Sequence, residues 1–184
     1  SLSLNVNLLL FYTRVDKPMR LISTAQDKLS FHQLDDYLDT RGTEINSAWE
    51  RGNFKLLLGY THADVQEHSA HGVHAYPLVP NNRLNTVFIY EREDDLRIGL
   101  EAYYYGHQEL NNGRTSRDYW IVGLMMEKAM SDDLSMFLNF ENLTDTRQTR
   151  WEPLYTGSLA NPIFNDIYAP LDGYVINGGV KLRL

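Results

Sequence analysis

Cysteine is absent from the 184 residues, and acidic residues outnumber basic ones. Without cysteine the chain has no disulfide framework and no thiol chemistry. Its 17 Lys and Arg against 24 Asp and Glu give a formal charge of -7, which argues against a nucleic-acid partner because phosphates demand a basic surface. No run approaches the roughly 20 apolar residues of a membrane helix, so a helical span is excluded. A strand that is apolar on one side only remains compatible with this composition.

The end of the chain shows a clear pattern, because apolar and polar side chains alternate over residues 174–184. Strand side chains point to opposite faces with a period of two. One face therefore carries Tyr174, Ile176, Gly178, Val180, Leu182 and Leu184, and the other carries Asn177, Gly179, Lys181 and Arg183. A terminal amphipathic strand of this kind is typical of an outer-membrane β-barrel.

The same alternation recurs along the chain and predicts about eight strands, each near the roughly 9 to 11 residues that a tilted spanning strand needs. Besides the last strand, the regular stretches are 2–12, 54–61, 96–104, 120–127 and 134–141, and the less regular ones are 37–50 and 84–90.

The predicted connections differ in length in a regular order. Short links at 51–53, 92–95 and 130–133 alternate with long ones at 62–82, 105–117 and 147–172. Outer-membrane barrels alternate tight periplasmic turns with long outer loops. We therefore predict an all-β, antiparallel transmembrane β-barrel in the outer membrane of a Gram-negative bacterium. No signal-peptide pattern opens the chain, so we expect that such a segment was removed or that the chain is a piece of a longer protein.

Two closing segments, 137–150 (FLNFENLTDTRQTR) and 166–184, resemble the last strands of TonB-dependent outer-membrane receptors. The stretches 37–50, 58–61 and 76–80 resemble the strands that precede them in that family. The resemblance implies a barrel of about 22 strands occluded by an amino-terminal plug, of which residues 1–184 form the carboxyl-terminal portion, about eight strands, with the plug domain absent.

The resemblance also implies active import of a scarce ligand, which could be a ferric siderophore, another metal chelate, cobalamin or a glycan. The implied partners are outer-membrane lipid, the plug and remaining barrel strands of the same receptor, TonB, and a small-molecule or metal-chelate ligand. We expect neither a cofactor nor catalysis, because no titratable pair is joined to a nucleophile or a metal motif.

Two long connections contain candidate ligand-binding residues. His68, His71 and His74 are spaced by three, and imidazoles can bind a metal or a metal chelate, although a solvated histidine-rich loop is the alternative. In the last connection Arg150, Trp151, Tyr155 and Tyr168 could hold a planar chelate or a sugar ring by stacking and hydrogen bonds. The alternative there is that these aromatic side chains anchor the barrel or pack the loop.

The inward face of the predicted barrel carries charges that would line the lumen or hold a plug: Arg97, Glu101, Glu141, Lys181 and Arg183. Two other architectures remain open. A complete eight-stranded barrel, acting as an adhesin or structural protein, requires residues 2–12 to pair with 174–184. A soluble, tyrosine-rich, carbohydrate-binding β-sandwich would instead gather the apolar face into a dry core.

Overall fold

The computed structural model describes residues 2–23 and 29–183, and nearly all of its regular structure is antiparallel strand. The strands are β1 (Leu2–Asp16), β2 (Met19–Ser23), β3 (Leu29–Gln33), β4 (Tyr37–Arg51), β5 (Phe54–Ser69), β6 (Gly72–Ala75), β7 (Asn82–Arg92), β8 (Leu96–Tyr105), β9 (Tyr119–Ala129), β10 (Leu134–Glu141), β11 (Tyr155–Ser158), β12 (Asn161–Phe164) and β13 (Val175–Leu182). One 3-10 turn covers Gln148–Arg150. In the described ranges there is no helix with the length and apolar character to cross a membrane.

Nine of the strands form one sheet in the order β1-β4-β5-β7-β8-β9-β10-β13, with β6 paired to the end of β5. Each of the eight strands on this path pairs antiparallel with the next along the chain, so the sheet is a meander. The hairpins β2–β3 and β11–β12 lie within connections. The predicted all-β antiparallel class and its eight strands are confirmed.

One face of this sheet carries an unbroken apolar row, with one residue from each of the eight strands. In this row each residue is the cross-strand partner of the next, in the order Leu4, Trp49, Leu56, Phe88, Leu100, Leu124, Phe140 and Ile176. The next row, on the opposite face, connects Ser3, Glu50, Lys55, Ile89, Gly99, Met125, Asn139 and Asn177. The alternation in the sequence therefore produces one apolar face and one largely polar face of a single sheet.

The apolar face does not enclose a core. Leu100 is 44% exposed and Leu182 is 64% exposed, and within 2–23 and 29–183 every pair of strands in contact is a hydrogen-bonded pair. A sandwich needs a second sheet about 10 Å from the first. The β-sandwich alternative is therefore wrong for the part of the chain that the structure covers.

The sheet is open at both of its edges, β1 and β13, within the described residues. Among the described residues, β1 pairs only with β4, and β13 pairs only with β10. The pairing of 2–12 with the last strand, which a complete eight-stranded barrel requires, is not formed, so that alternative is also wrong. Leu184 lies outside the described residues.

The predicted loop at 62–82 needs correction, because β5 continues to Ser69 and pairs there with β6. Three strands, β1, β4 and β5, are 15 to 16 residues long, whereas β10 and β13 have 8. The sheet therefore rises higher on one side. The predicted short links are confirmed as turns, including Gly52, whose φ of +57° suits glycine in a tight hairpin.

Candidate functional site

Two connections at the same end of the sheet fold onto each other: 106–118 joins β8 to β9, and 142–174 joins β10 to β13. Together we call them the loop unit. Its centre is the buried cluster of Leu110, Tyr168 and Ala169, against which Tyr119 and Trp151 pack. This is the hydrophobic core of the described chain, and it lies between loops rather than under the sheet.

Gln148 organises the longer connection and is fully buried. Its side-chain Nε2 donates to the carbonyl of Asp166 at 2.6 Å. Its Oε1 accepts the backbone N–H groups of Tyr168 at 2.9 Å and Ala169 at 3.2 Å. Because the Gln148 backbone N–H also donates to the Pro170 carbonyl at 2.8 Å, one residue satisfies four polar groups of residues 166–170. This segment therefore has a fixed shape.

The two connections are held together by side chains far apart in sequence. Asn111 donates to both carboxylate oxygens of Asp166, from its backbone N and its Nδ2, each at 2.7 Å. The Tyr119 hydroxyl donates to the Tyr168 carbonyl at 2.8 Å. Both contacts join loop 142–174 to the β8–β9 side, so the loops form one packed unit.

A cavity of about 300 Å³ opens at the seam between the loops. Its side chains include Arg114, Arg117, Trp151, Glu152, Asn165 and Tyr168. Trp151 Nε1 donates to the Tyr168 hydroxyl at 3.0 Å, and that hydroxyl donates to Glu152 at 3.1 Å. Arg114 pairs with Glu152 at 3.1 Å, and the Arg117 guanidinium lies 5.8 Å from the Trp151 ring centroid. The seam thus combines an aromatic surface with two cations and one carboxylate.

Burial raises the pKa of the Tyr168 phenol above its ordinary value. The hydrogen bond from Trp151 acts in the opposite direction, and the Glu152 carboxylate raises the pKa again. As a protonated phenol, Tyr168 donates to Glu152 and accepts from Trp151.

The predicted last-loop residues separate into two groups. Trp151 and Tyr168 meet at the seam cavity, as described. Arg150 instead pairs with Asp145 at 3.0 Å, and Tyr155 lies on β11 with its ring 6.2 Å from that of Phe164. A role in ligand binding stays a prediction for all four residues.

Asn165, in the same connection as the predicted aromatic residues, also lines the cavity, whereas the sequence did not single out Arg114, Arg117 and Glu152. The two arginines come from the β8–β9 connection, where no periodicity or motif marks them. Only the contact between the loops brings these arginines to Trp151, and no local pattern could have revealed it.

The histidines are dispersed by the β5–β6 hairpin. Glu67 lies opposite His74, and His68 lies opposite Val73, so His68 and His74 point to opposite faces. His71 lies in the turn between the strands. Within the ranges that the structure covers, no group of three or more His, Asp or Glu could hold a metal ion. The spacing of three brings ligands together in a helix or a compact loop, but not in a hairpin.

His68 has a different environment from the predicted one. Its ring stacks on Tyr37, with centroids 4.3 Å apart, and its Nε2 lies 3.2 Å from an Asp39 oxygen. These contacts link β4 and β5 at the end of their ladder where Tyr37 lies opposite His68. His68 therefore has a structural environment on the long strands.

The predicted inward charges lie on the polar face. Lys181 pairs with Glu127 at 2.8 Å, and Arg97 lies opposite Glu127 across β8 and β9. Glu101 accepts the Tyr103 hydroxyl at 2.7 Å.

Two further charges lie near the ends of β10 and β13. Glu141 accepts Asn177 Nδ2 at 2.9 Å. Arg183, just past β13, donates its backbone N–H to the Asp133 carbonyl at 2.9 Å. Cross-strand pairing thus accounts for several of the polar groups on this face, and their contact with a lumen or a plug stays a prediction.

No family model and no curated protein matches the chain, but solved structures share its fold, which is that of the barrel wall of outer-membrane receptors. The ferric-catecholate import receptor Fiu of Escherichia coli K12 superposes with a TM-score of 0.65 at 16% identity, over 97% of this chain and 25% of that one. The pyoverdine outer membrane receptor FpvA of Pseudomonas aeruginosa gives 0.67 at 19% identity, over 98% and 27%. The siderophore receptor PirA of Acinetobacter baumannii gives 0.63 at 15% identity, over 97% and 29%.

The chain thus spans about a quarter of the length of these receptors. At these identities the likeness concerns the fold. The resemblance drawn from the closing strands to the barrel of TonB-dependent receptors is confirmed at that level.

Proposed function

We propose that the chain forms part of the barrel wall and the outer loops of an active importer in the outer membrane of a Gram-negative bacterium. The observation that carries this proposal is the apolar row that crosses all eight strands, from Leu4 to Ile176. A one-sided apolar row of this kind suits acyl chains on one side and a wet or protein-filled interior on the other. One of the receptors that share the fold, Fiu, is named as an import receptor.

The open edges support the view that further strands complete the barrel. Unpaired strand edges are not tolerated in a bilayer, because each unsatisfied backbone group there costs several kcal/mol. We therefore infer that residues 1–184 are the carboxyl-terminal portion of a larger receptor, whose remaining strands pair with β1 and β13. A plug would occupy the lumen against the polar face.

The mechanism that follows has three parts. The outer loops collect a scarce ligand, the wall shields it from lipid, and movement of the plug, driven through TonB, admits it to the periplasm. Ferric siderophores are the first candidate ligands, because the solved structures with this fold are named as receptors for them. Other metal chelates, cobalamin and glycans are the competing outcomes.

Uptake in the source bacterium tests the proposal. We expect deletion of the gene to abolish accumulation of at least one radiolabelled ligand in a panel of ferric siderophores, cobalamin and oligosaccharides. Uptake by the complemented strain should disappear when TonB is deleted, because TonB drives the plug movement in the proposed mechanism. Uptake of every ligand at wild-type rates in the gene deletion, or uptake independent of TonB, contradicts the proposal.

A further inference from the structure

We propose that the seam cavity of the loop unit binds an anionic group carried on a single ring, as a carboxylate or a phosphate. The inference deepens the proposed function, because it gives a charge and a size to one part of what the outer loops hold. It concerns residues from two loops, and three of them, Arg114, Arg117 and Glu152, belong to no sequence pattern.

The charges at the seam favour an anion. The single carboxylate of Glu152 is already engaged, since it pairs with Arg114 and accepts the Tyr168 hydroxyl, both at 3.1 Å. Arg117 forms no ion pair with any residue that the structure describes. One guanidinium therefore faces the cavity with its donors available to a carboxylate or phosphate, which it can bind through two parallel hydrogen bonds.

The walls of the cavity are fixed before any ligand arrives. Arg117 lies over the Trp151 ring, Trp151 is held by the Tyr168 hydroxyl, and Tyr168 belongs to the buried cluster and donates its backbone N–H to Gln148. A site whose side chains are already ordered loses little conformational entropy on binding. Arg117 is itself exposed, and its contact with the Trp151 ring places its guanidinium beside the part of the cavity that hydrogen bonds hold.

The size of the cavity limits the ligand. A volume of about 300 Å³ is at the lower end of small-molecule sites, which range from about 300 to 1,000 Å³. It accommodates one ring with its substituent, and the rest of a larger ligand would lie outside the opening of the cavity. The group could belong to a small imported ligand or to a phosphorylated sugar of an outer-leaflet lipid headgroup, and both share the chemistry of an anion on a ring.

Calorimetric titration of the full-length receptor, purified in detergent, tests the site with defined probes. Benzoate represents a ring acid and glucose 1-phosphate represents a phosphorylated sugar, while benzamide and glucose are their uncharged counterparts. We expect at least one anion to bind and its counterpart to bind at least about tenfold more weakly, the effect of losing a charge-assisted hydrogen bond. Preference for benzoate indicates a small ring acid, and preference for glucose 1-phosphate indicates a lipid headgroup.

Arg117→Gln should weaken binding of the preferred anion about tenfold, and Arg117→Lys should restore only part of it, because an ammonium lacks the planar fork. Arg41→Gln is a control for charge loss, because Arg41, like Arg117, is an exposed arginine but lies on β4, outside the loop unit. It should leave the affinity unchanged.

Several results would overturn the inference: no binding of either anion, equal binding of charged and uncharged probes, or unchanged affinity in Arg117→Gln. Limited proteolysis of the loops in each variant shows whether the loop unit is intact. TonB-dependent uptake is measured separately, so a seam that binds no anion in a receptor that still imports its ligand disproves the site and leaves the proposed function standing.

Discussion

Gln148 shows how much a single polar residue can determine in a chain with little buried core. It is fully buried and satisfies backbone groups of Asp166, Tyr168, Ala169 and Pro170. The sequence around it is polar and carries no periodic pattern, so nothing local marks it as buried. A glutamine can occupy this position because it has both an acceptor and donors at the end of one side chain.

We expect Gln148→Ala to loosen the loop unit. The substitution leaves the N–H groups of Tyr168 and Ala169 without their acceptor, and each buried unsatisfied group costs about 1–3 kcal/mol. Hydrogen exchange at residues 166–170 should accelerate, while exchange in β8 and β9 stays slow. Thr149→Ala, at the exposed neighbouring position, is the control and should leave hydrogen exchange at residues 166–170 unchanged. Equal protection in both variants would show that Gln148 does not hold this segment.

Tyr168 predicts a dependence of the loop unit on alkaline pH. Burial is the first cause that raises its pKa, so the folded loops favour the protonated phenol. The resulting stability is complete below the ordinary tyrosine pKa of about 10 and is lost as the pH rises through the higher pKa of the folded state. Proteolysis of the loops should therefore accelerate at strongly alkaline pH.

Tyr168→Phe should remove part of this alkaline dependence. It should also weaken the loop unit at neutral pH, because Trp151 and Glu152 lose their shared partner. Tyr155→Phe changes an exposed phenol in the same connection and serves as the control. An identical pH profile in wild type and Tyr168→Phe would contradict the role assigned to the phenol.

At the scale of strands, the sequence predicts the fold well wherever one face is apolar. The stretches 54–61, 96–104, 120–127 and 134–141 all lie within strands of the sheet, because alternation reports burial on one side only. The same rule explains the failure at 62–69. There β5 has polar side chains on both faces and continues the ladder with β4. Contacts such as Arg41–Asp64 at 2.9 Å accompany this pairing, and hydropathy does not detect them.

Adjacent residues of β7 allow a direct test of which face meets lipid. Phe88 belongs to the apolar row, between Leu56 and Leu100, whereas Val87 points to the other face, opposite Glu101. In the full-length receptor, Phe88→Lys should lower the free energy of unfolding in vesicles by about 2–4 kcal/mol, the cost of a lipid-facing lysine near the bilayer centre.

Val87→Lys, the matched control, should cost much less, because the new ammonium lies near a carboxylate. Urea titration followed by tryptophan fluorescence measures both variants. Equal losses of unfolding free energy would contradict the assignment of the two faces, and a larger loss for Val87→Lys would reverse it.

At the scale of the whole molecule, local sequence patterns have the least predictive value. The contact of Asn111 with Asp166 spans 55 residues and joins two connections. Each was predicted only as a long loop, because a loop's length and composition do not specify what it touches. Trp151 and Tyr168 could be named as candidate ligand-binding residues from residue type, but finding their arginine and glutamate neighbours required the fold.

The two open edges of the sheet make the isolated chain prone to self-association. The 15 residues of β1 pair with β4 along one edge, and among the described residues the other edge of β1 has no strand partner. Since Leu2, Val6, Leu8 and Leu10 are between 60% and 72% exposed, this edge is both unsatisfied and apolar, a combination that promotes strand-to-strand association.

A polypeptide limited to residues 1–184 should therefore associate in detergent as its concentration rises, since micelles cover the apolar face but cannot satisfy the backbone groups of an edge. Analytical ultracentrifugation should show this association, and the larger receptor that we propose should remain monomeric under the same conditions because its edges would be paired. Co-refolding with the remaining strands should suppress the association. A stable monomer of the 184 residues at all concentrations would mean that β1 and β13 find each other, and the inference of a larger barrel would then lose its main support.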